Sequence, residues 1–570
     1  MGLVSELRRR NVFRMAVLYM AAAWLIMQVA EVLESLVGLP GWAGSAMLGL
    51  LTIGFPIALI LSWFYEITPE GISLEKEVDP EDSITHVTGR RLDFIVISML
   101  CAAVIMFAYD KWWIGGPPEQ SIAVLPFNNM SSEPEQEYFS DGISEELLNL
   151  LAKIPQLKVI SRTSAFSFKG KDVDVRTVAE RLNVAHVLEG SVRKAGNQLR
   201  ITAQLIDARS DTHLWSETYD RTLDDIFAIQ DEIAAEVVEA IAGPLLGEAA
   251  EAADPRGNNA DAYNAYLLGR HFSNRMSEED LWRAIAYFED ALALDPDFGP
   301  AWVGLANAHQ RLGSSGYVTV EVAHSKALGA VERALELDGK LAQGWAALGA
   351  IKAVFEWDWA GANAAYQRAL ELNPGSAEVV RGAGSLAANL GRLEEAIELT
   401  RRAVDLDPLA PYTRANLALM LTNARDLEEA ATVLRKEMEL NPDLVMTHSI
   451  LGFVYLAQSR LREALEEMQR EQDEVFQLQG LTLVHLALGE QEVADAAFAK
   501  LIENHQRDSA FQIAQVYAYG GNADQAFDWL ERAYLQRDGG LSQMKVNLLL
   551  ANLHDDPRWN PFLEKMGLAN

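Results

Sequence analysis

The chain has 570 residues, 49% of them hydrophobic, and is therefore long enough for three or four folding units with buried cores. Its formal net charge is −33, from 48 basic and 81 acidic residues. A surface this acidic excludes nucleic acid as a partner, because phosphate binding needs clustered Lys and Arg. The single cysteine, Cys101, excludes an intrachain disulfide and a metal site built from cysteines.

Three apolar stretches precede residue 115, at residues 12–32, 43–65 and 94–113. A helix needs about 20 apolar residues to cross a bilayer, and the first two stretches reach that length. The third ends on two tryptophans, which favour the level of the lipid headgroups. The sequence therefore predicts that residues 1–114 form an anchor of three transmembrane helices in a lipid bilayer. The alternatives are a buried core helix for each stretch and a cleaved signal peptide for the first.

Positive charge predicts the orientation of this anchor. Basic residues precede the first and third stretches but are missing from the loop at residues 33–42: Arg8, Arg9, Arg10, Arg14, Lys76, Arg90 and Arg91. Basic flanks stay in the cytoplasm, so the N-terminus is predicted to be cytoplasmic. Three crossings then place everything after residue 115 on the other side. We expect a multi-pass protein of the bacterial inner membrane with periplasmic C-terminal domains.

Residues 118–245 alternate between strand-like and helical patterns. Short runs rich in strand formers occur at residues 121–127, 158–161, 187–193, 199–206 and 213–219, and helices are predicted at 143–154, 175–182 and 224–242. Ser140 or Asp141 is the expected cap of the first helix. The dipeptide Gly196-Asn197 predicts a hairpin between the third and fourth strands. These patterns indicate a small α/β domain.

The same residues resemble a known family. The motifs SIAVLPF, YFSDGISEELLNLLAKI, LKVISRTSAFSFKGK and AERLNVAHVLEGSVRKAGNQLRITAQLIDARSDTHLWSETYDR occur in the order found in the TolB-like (FlgO-like) N-terminal domain, over about residues 121–242. The resemblance implies a small α/β domain of bacterial envelope proteins without catalytic activity, often placed between a membrane anchor and tetratricopeptide (TPR) repeats. Some relatives carry a nucleotide cyclase or a DNA-binding winged helix before the anchor. We expect no such module here, since only about ten residues precede the first stretch.

Residues 260–570 carry an internal repeat of 34 residues, which is the TPR period. Two residue types recur at that step: Pro374, Pro408 and Pro442, and Ala362, Ala396, Ala430 and Ala464. Small residues at fixed positions let two helices approach closely, and stacked helix pairs form one continuous core. About eight pairs are expected, so the sequence predicts an all-α TPR superhelix with a concave groove.

TPR grooves bind peptides through side chains of the first helix of each pair, and the resemblance assigns five candidates to this role: Arg381, Asn389, Tyr412, Asn423 and Phe453. Asn389 and Asn423 are 34 residues apart and are therefore expected on one wall of the groove. The alternative is that all five are ordinary surface or packing residues.

Catalytic patterns are not found in the sequence. The ten histidines form no HExxH motif, and neither a Walker lysine motif nor G-x-S-x-G occurs. We therefore expect a non-catalytic chain without a catalytic residue, cofactor or metal. The first hypothesis is an inner-membrane adaptor whose periplasmic TPR superhelix binds a protein or peptide. The second is a sensory subunit that relays a periplasmic signal to a separate cytoplasmic partner. The oligomeric state stays open.

Overall fold

The structure is a computed structural model. It describes residues 118–133, 136–242, 259–275, 277–442 and 444–569, and in the first part of the chain residues 16, 19, 20, 23, 51, 54–56, 65–68 and 71–74. The chain divides into two compact units, Met1–Gly116 and Pro117–Asn570. Each unit is described by itself.

The first unit contains a β-hairpin. Strand β1 (Tyr65–Thr68) pairs antiparallel with strand β2 (Gly71–Leu74). Tyr65, the last residue of the predicted second membrane helix, is thus the first residue of a strand. The other predicted membrane residues lie for the most part outside the described residues.

The predicted transmembrane anchor is wrong. No helix in the described part of the chain combines the length and the apolar character that a bilayer crossing requires. The fold class therefore has to be corrected to a mostly helical solenoid with a small sheet, without a three-helix anchor. The predicted localisation is wrong for the same reason. It consisted of a cytoplasmic N-terminus, a multi-pass placement in the inner membrane and periplasmic C-terminal domains, and all of these depended on the three helices.

The second unit begins with an α/β part. Its elements are β3 (Ser121–Val124), β4 (Asn128–Asn129), α1 (Glu137–Leu151), β5 (Lys158–Val159), α2 (Arg162–Phe166), α3 (Val175–Leu182), β6 (His186–Ala195), β7 (Gln198–Asp207), β8 (Thr212–Thr222) and α4 (Ile226–Ala242). The strands form one sheet in the order β5-β3-β6-β7-β8, and β4 pairs with the far end of β6. Strands β3, β4 and β5 are parallel to their neighbours, whereas β7 is antiparallel to both β6 and β8.

Both faces of this sheet are covered by helices. Side chains alternate between the faces of a strand, so Ile122 and Val124 join the core with α1 and α4, while Ala123 joins α2 and α3 on the other face. The hairpin predicted at Gly196-Asn197 connects β6 and β7, with Gly196 at a φ of +61° that glycine adopts without strain. The sheet is thus the middle layer of three, with helices packed against both of its faces.

One helix of this part begins earlier than the sequence predicts. Helix α1 begins at Glu137, so Ser140 and Asp141 lie within the helix and do not cap it. Both side chains are buried. Lys169 contacts the Asp141 carboxylate at 2.6 Å, which explains how an acidic residue is accommodated there.

Sixteen helices follow in the described residues from 259 onward and form eight antiparallel pairs. They are α5 (Ala260–Ser273), α6 (Glu278–Leu294), α7 (Gly299–Ser314), α8 (Val320–Leu337), α9 (Ala342–Ile351), α10 (Trp359–Leu372), α11 (Ala377–Asn389), α12 (Leu393–Leu406), α13 (Thr413–Asn423), α14 (Leu427–Leu440), α15 (Thr447–Ala457), α16 (Leu461–Arg470), α17 (Glu474–Leu488), α18 (Gln491–His505), α19 (Ala510–Tyr519) and α20 (Ala523–Gln536). Two 3₁₀ helices (Gly539–Val546 and Leu548–Leu553) and helix α21 (Trp559–Lys565) end the chain.

Close packing of small and large residues holds the pairs together. All four alanines of the 34-residue register are fully buried: Ala362, Ala396, Ala430 and Ala464. The Phe288 ring on α6 fills the space left by Gly269 on α5 and Gly304 on α7, and a Cβ at either glycine would lie 2.6 Å from a ring atom. The register therefore marks the positions at which one helix backbone approaches the next.

Candidate binding surface on the inner side of the helix pairs

The first helices of the pairs line the inner side of the solenoid. Helix α5 contacts α7, α7 contacts α9, and α9 contacts α11, and the same relation joins α13, α15, α17 and α19. Because a curved stack brings its inner elements closest together, these first helices form the concave surface. This is the surface on which the sequence places a peptide groove.

Five residues were predicted to face this groove, and the structure places all of them on or next to first helices. Arg381 is exposed on α11, and Asn389 is the last residue of that helix. Tyr412 precedes α13 with a φ of 66° and is 40% exposed. Asn423 is the last residue of α13, and Phe453 is partly buried on α15.

The side chain of Asn423 contacts a distant part of the same chain. Its Oδ1 accepts a hydrogen bond from the Leu548 backbone N–H at 3.3 Å. Leu548 belongs to residues 539–553, which we name the C-terminal segment. The structure therefore brings part of the predicted groove into contact with the chain itself, which the sequence did not predict.

The C-terminal segment joins the fourth pair to the eighth pair. Its first 3₁₀ helix contacts α11 of the fourth pair as well as α19 and α20 of the eighth, and its second contacts α19. Asn552 Nδ2 donates to the Ala518 carbonyl at 3.2 Å at the end of α19. The Lys545 side chain lies over the turn at Gly391, where a Cβ would be 3.1 Å from its Cε.

Burial within the segment repeats every third residue. Five residues at that spacing are buried: Leu541, Met544, Asn547, Leu550 and Leu553. A 3₁₀ helix has three residues per turn, so this spacing puts Leu541 and Met544 on one side of the first helix and Leu550 and Leu553 on one side of the second, while Asn547 lies between the two helices. The four apolar members are at most 1% exposed and share a buried cluster with α11 residues such as Val379 and Leu386.

Asp538 anchors the start of the segment. Its two carboxylate oxygens accept backbone N–H groups from Gly540 at 2.9 Å and from Phe511, the second residue of α19, at 3.0 Å. Burial raises the pKa of Asp538 above its ordinary value, although both hydrogen bonds act in the opposite direction. The carboxylate thus ties the segment to the eighth pair.

The α/β part is attached to the first helix pair by a cluster of charges. Arg270 on α5 contacts both Glu145 and Glu146 of α1, and Arg162 contacts Glu145 from the other side at 3.1 Å. Burial alone would lower the pKa of Arg270, but the two carboxylates and the Tyr266 hydroxyl raise it above its ordinary value. The guanidinium is therefore charged in the folded protein and compensates the two acids.

A second attachment joins the α/β part to the fourth pair. The Ser164 backbone N–H donates to Asp407 Oδ1 at 3.0 Å, and its hydroxyl donates to the same oxygen while accepting the Leu409 N–H at 2.7 Å. The Ser161 N–H donates to the Leu406 carbonyl at 2.7 Å. Ser164 is fully buried. The α/β part thus bridges the first and fourth pairs of the same solenoid.

Within the residues that the structure describes, no three His, Cys, Asp or Glu side chains converge as a metal site would require. The buried charges described above are paired between structural elements. Their geometry supports docking of one part of the chain on another.

Two family profiles match the chain. Residues 118–236 match the family described as "HilA/YgeH-like transcriptional regulator, second domain". Residues 357–411 match the tetratricopeptide repeat. The second match covers α10, α11 and α12, and together with the helix pairs it confirms the predicted TPR repeats.

A curated relative and several solved structures are also similar. The chain is 39% identical over 239 residues to "Putative adenylate cyclase 3" of Rhizobium meliloti (strain 1021), a match that covers 40% of this chain and 39% of the relative. The structure of YrrB, "a TPR protein with an unusual peptide-binding site", is 20% identical with a TM-score of 0.27 and covers 37% of this chain and 96% of its own. PilW, a "widely conserved type IV pilus biogenesis factor", is 19% identical with a TM-score of 0.31, covering 45% and 99%.

Proposed function

We propose that the chain is a non-catalytic scaffold that binds a protein or peptide on the inner surface of its TPR solenoid. The observation that carries this proposal is that the first helices of successive pairs contact one another in two rows, from α5 to α11 and from α13 to α19. Such a surface presents many side chains from a rigid framework, and extended segments bind to surfaces of this kind with their backbone as well as their side chains. The α/β part, with its resemblance to TolB-like domains, would orient the solenoid through its two attachments.

Partner capture tests this proposal. The full chain would be crosslinked in its native cells in two forms, wild type and a variant carrying Arg381→Glu and Asn389→Lys on α11. We expect the variant to lose the partner that the wild type retains. The matched control is Lys436→Glu, an exposed change on the second helix α14, which should retain it. Equal recovery with all three proteins would contradict binding on the inner surface.

A signalling subunit is the second candidate function. It is favoured by the relative named as a putative adenylate cyclase and by the attachment of the α/β part at two distant helix pairs. A change in solenoid curvature would alter the spacing of these two attachments, and the α/β part would respond. In this role the chain passes a binding event to a separate partner protein.

An activity assay separates both proposals from an enzyme. The purified full chain would be incubated with ATP and a divalent cation, and cyclic AMP would be measured. We expect no product above the buffer control. Turnover by the purified chain would overturn the non-catalytic proposal, including its signalling form.

A further inference from the structure

We propose that the C-terminal segment is an internal ligand of the inner surface, and that the external partner of this surface is a segment of the same chemistry that displaces it. The proposal rests on the binding role proposed above and adds the class of ligand and a closed state. It starts from an occupied groove. Residues 539–553 contact α11 and α19, and Leu548 contacts Asn423 at the end of α13, on the surface where the sequence places peptide binding.

The contacts of the segment define the chemistry of a ligand. Its buried side chains are leucine and methionine at every third position, together with Asn547. Its backbone contributes one N–H, that of Leu548, to the Asn423 amide. Lys545 is its sole charged residue. The surface therefore takes an apolar, uncharged or weakly basic segment that presents large aliphatic side chains at a three-residue spacing.

The conformation of the segment makes its displacement feasible. Runs of 3₁₀ helix longer than three or four residues are uncommon, because their hydrogen bonds are poorly aligned. Here two such helices of eight and six residues follow one another. Their intrinsic stability is low, so the docking contacts hold them in place. A segment held in this way opens more readily than the α-helices beneath it.

The covalent tether explains why the closed state is populated. A segment joined by a short connection has an effective concentration of roughly millimolar at its own site. A free peptide of the same sequence must compete with that concentration and binds weakly to the closed chain. Loss of the internal contacts removes the competition, so the affinity for the free peptide rises.

Binding of a labelled peptide tests the proposal directly. The probe is a fluorescent synthetic peptide of residues 538–556, and its anisotropy is followed with three full-length proteins. The released variant carries Leu541→Asp and Leu550→Asp, which place charges at two fully buried positions of the segment. The matched control carries Ser542→Asp and Ala551→Asp, the same charge change at positions that are not buried.

We expect the released variant to bind the peptide at least about tenfold more tightly than the wild type or the control, since the tethered competitor is lost. Adding Asn423→Ala to the released variant should weaken binding by about threefold to tenfold, the loss of one hydrogen bond. Equal binding to wild type and released variant, or binding to neither, overturns the proposal. A wild-type dimer in light scattering also overturns it if the peptide dissociates that dimer, because the segment would then bind a second copy.

Hydrogen exchange on the wild type keeps the proposal testable if the released variant does not fold. Amides of residues 539–553 should exchange faster than those of α11 and α19 under native conditions. Exchange of the segment only together with those helices would refute a displaceable ligand. The peptide assay needs no native partner, so its failure is distinguishable from failure of the capture experiment.

Discussion

The attachment between Ser164 and Asp407 offers a measurable energy. Asp407→Ala removes the carboxylate that accepts both the backbone N–H and the hydroxyl of Ser164. Hydrogen bonds to a charged group contribute about 1.5–3 kcal/mol each. Because both bonds share one oxygen, we expect Asp407→Ala to lower the free energy of unfolding by about 2–4 kcal/mol.

A double-mutant cycle isolates the hydroxyl contribution. Ser164→Ala keeps the backbone N–H but removes the hydroxyl, and the double variant completes the cycle. We expect a coupling energy of about 1.5–3 kcal/mol, the value of one hydrogen bond to a carboxylate. Urea unfolding of the full chain, followed by circular dichroism, supplies the four free energies.

Glu398→Ala changes an exposed carboxylate on the same helix, α12, and should alter the free energy of unfolding by less than about 0.5 kcal/mol. A coupling energy below about 0.5 kcal/mol would show that Ser164 and Asp407 do not stabilise each other. The α/β part would then not be fastened to the fourth pair as the geometry indicates.

Three further predictions concern the solenoid. Phe288→Ala should lower the free energy of unfolding by about 3–5 kcal/mol, because the ring fills the space beside two glycines, and urea unfolding measures it. Burial lowers the pKa of His309, so the wild type should lose stability as the pH falls below about 6.5, and His309→Gln should abolish that loss in thermal melts at graded pH. Burial acts to raise the pKa of Glu471, but four backbone N–H groups donate to its carboxylate and lower it below its ordinary value. Glu471→Ala should therefore lower the melting temperature at neutral pH, and the difference from the wild type should shrink as the pH falls through that lowered pKa and the wild-type side chain becomes protonated.

The repeats were predictable because their physical cause is local in sequence. A 34-residue period requires a small residue wherever two helix backbones approach, and the buried Ala396 and Ala430 occupy such positions. The turn residues Pro408 and Pro442 follow the ends of α12 and α14 for the same reason, since proline cannot continue a helix. The hairpin at Gly196 was predictable because the dipeptide Gly196-Asn197 favours a tight turn and the runs on either side of it are rich in strand-forming residues.

The prediction of three membrane helices was wrong because it depended on the length of the apolar stretches alone. The described residues within the first two stretches, such as Tyr19 and Leu51, are helical, but at Tyr65 the second stretch passes into a strand. The groove occupant was missed for a different reason. Its period of three, from Leu541 to Leu553, matches neither an α-helix nor a strand. Gly539-Gly540 was its one visible signal, as a break after a helix, and Gly540 lies against the Phe511 ring of α19.

The fourth helix pair contacts both the C-terminal segment and the α/β part. Its first helix, α11, contacts the C-terminal segment, and its second helix, α12, ends at Leu406, where the α/β part is bound. Since α11 and α12 pack directly on each other, a shift at one surface changes the support of the other. The geometry supplies a contiguous path between the two contacts, and a coupling along it is measurable as an energy.

A coupling through the fourth pair predicts that Asp407→Ala affects the distant C-terminal segment. Loosening α2 from the end of α12 should let the fourth pair move, so the C-terminal segment should open more often. We expect amide exchange in residues 539–553 to accelerate by about fivefold or more, a coupling near 1 kcal/mol, while α17 is unchanged. Glu398→Ala should leave both regions as in the wild type. If Asp407→Ala accelerated exchange only around Ser164, the contact of the α/β part and the contact of the C-terminal segment would be independent. A signal received on the inner surface would then have no route to the α/β part through the fourth pair.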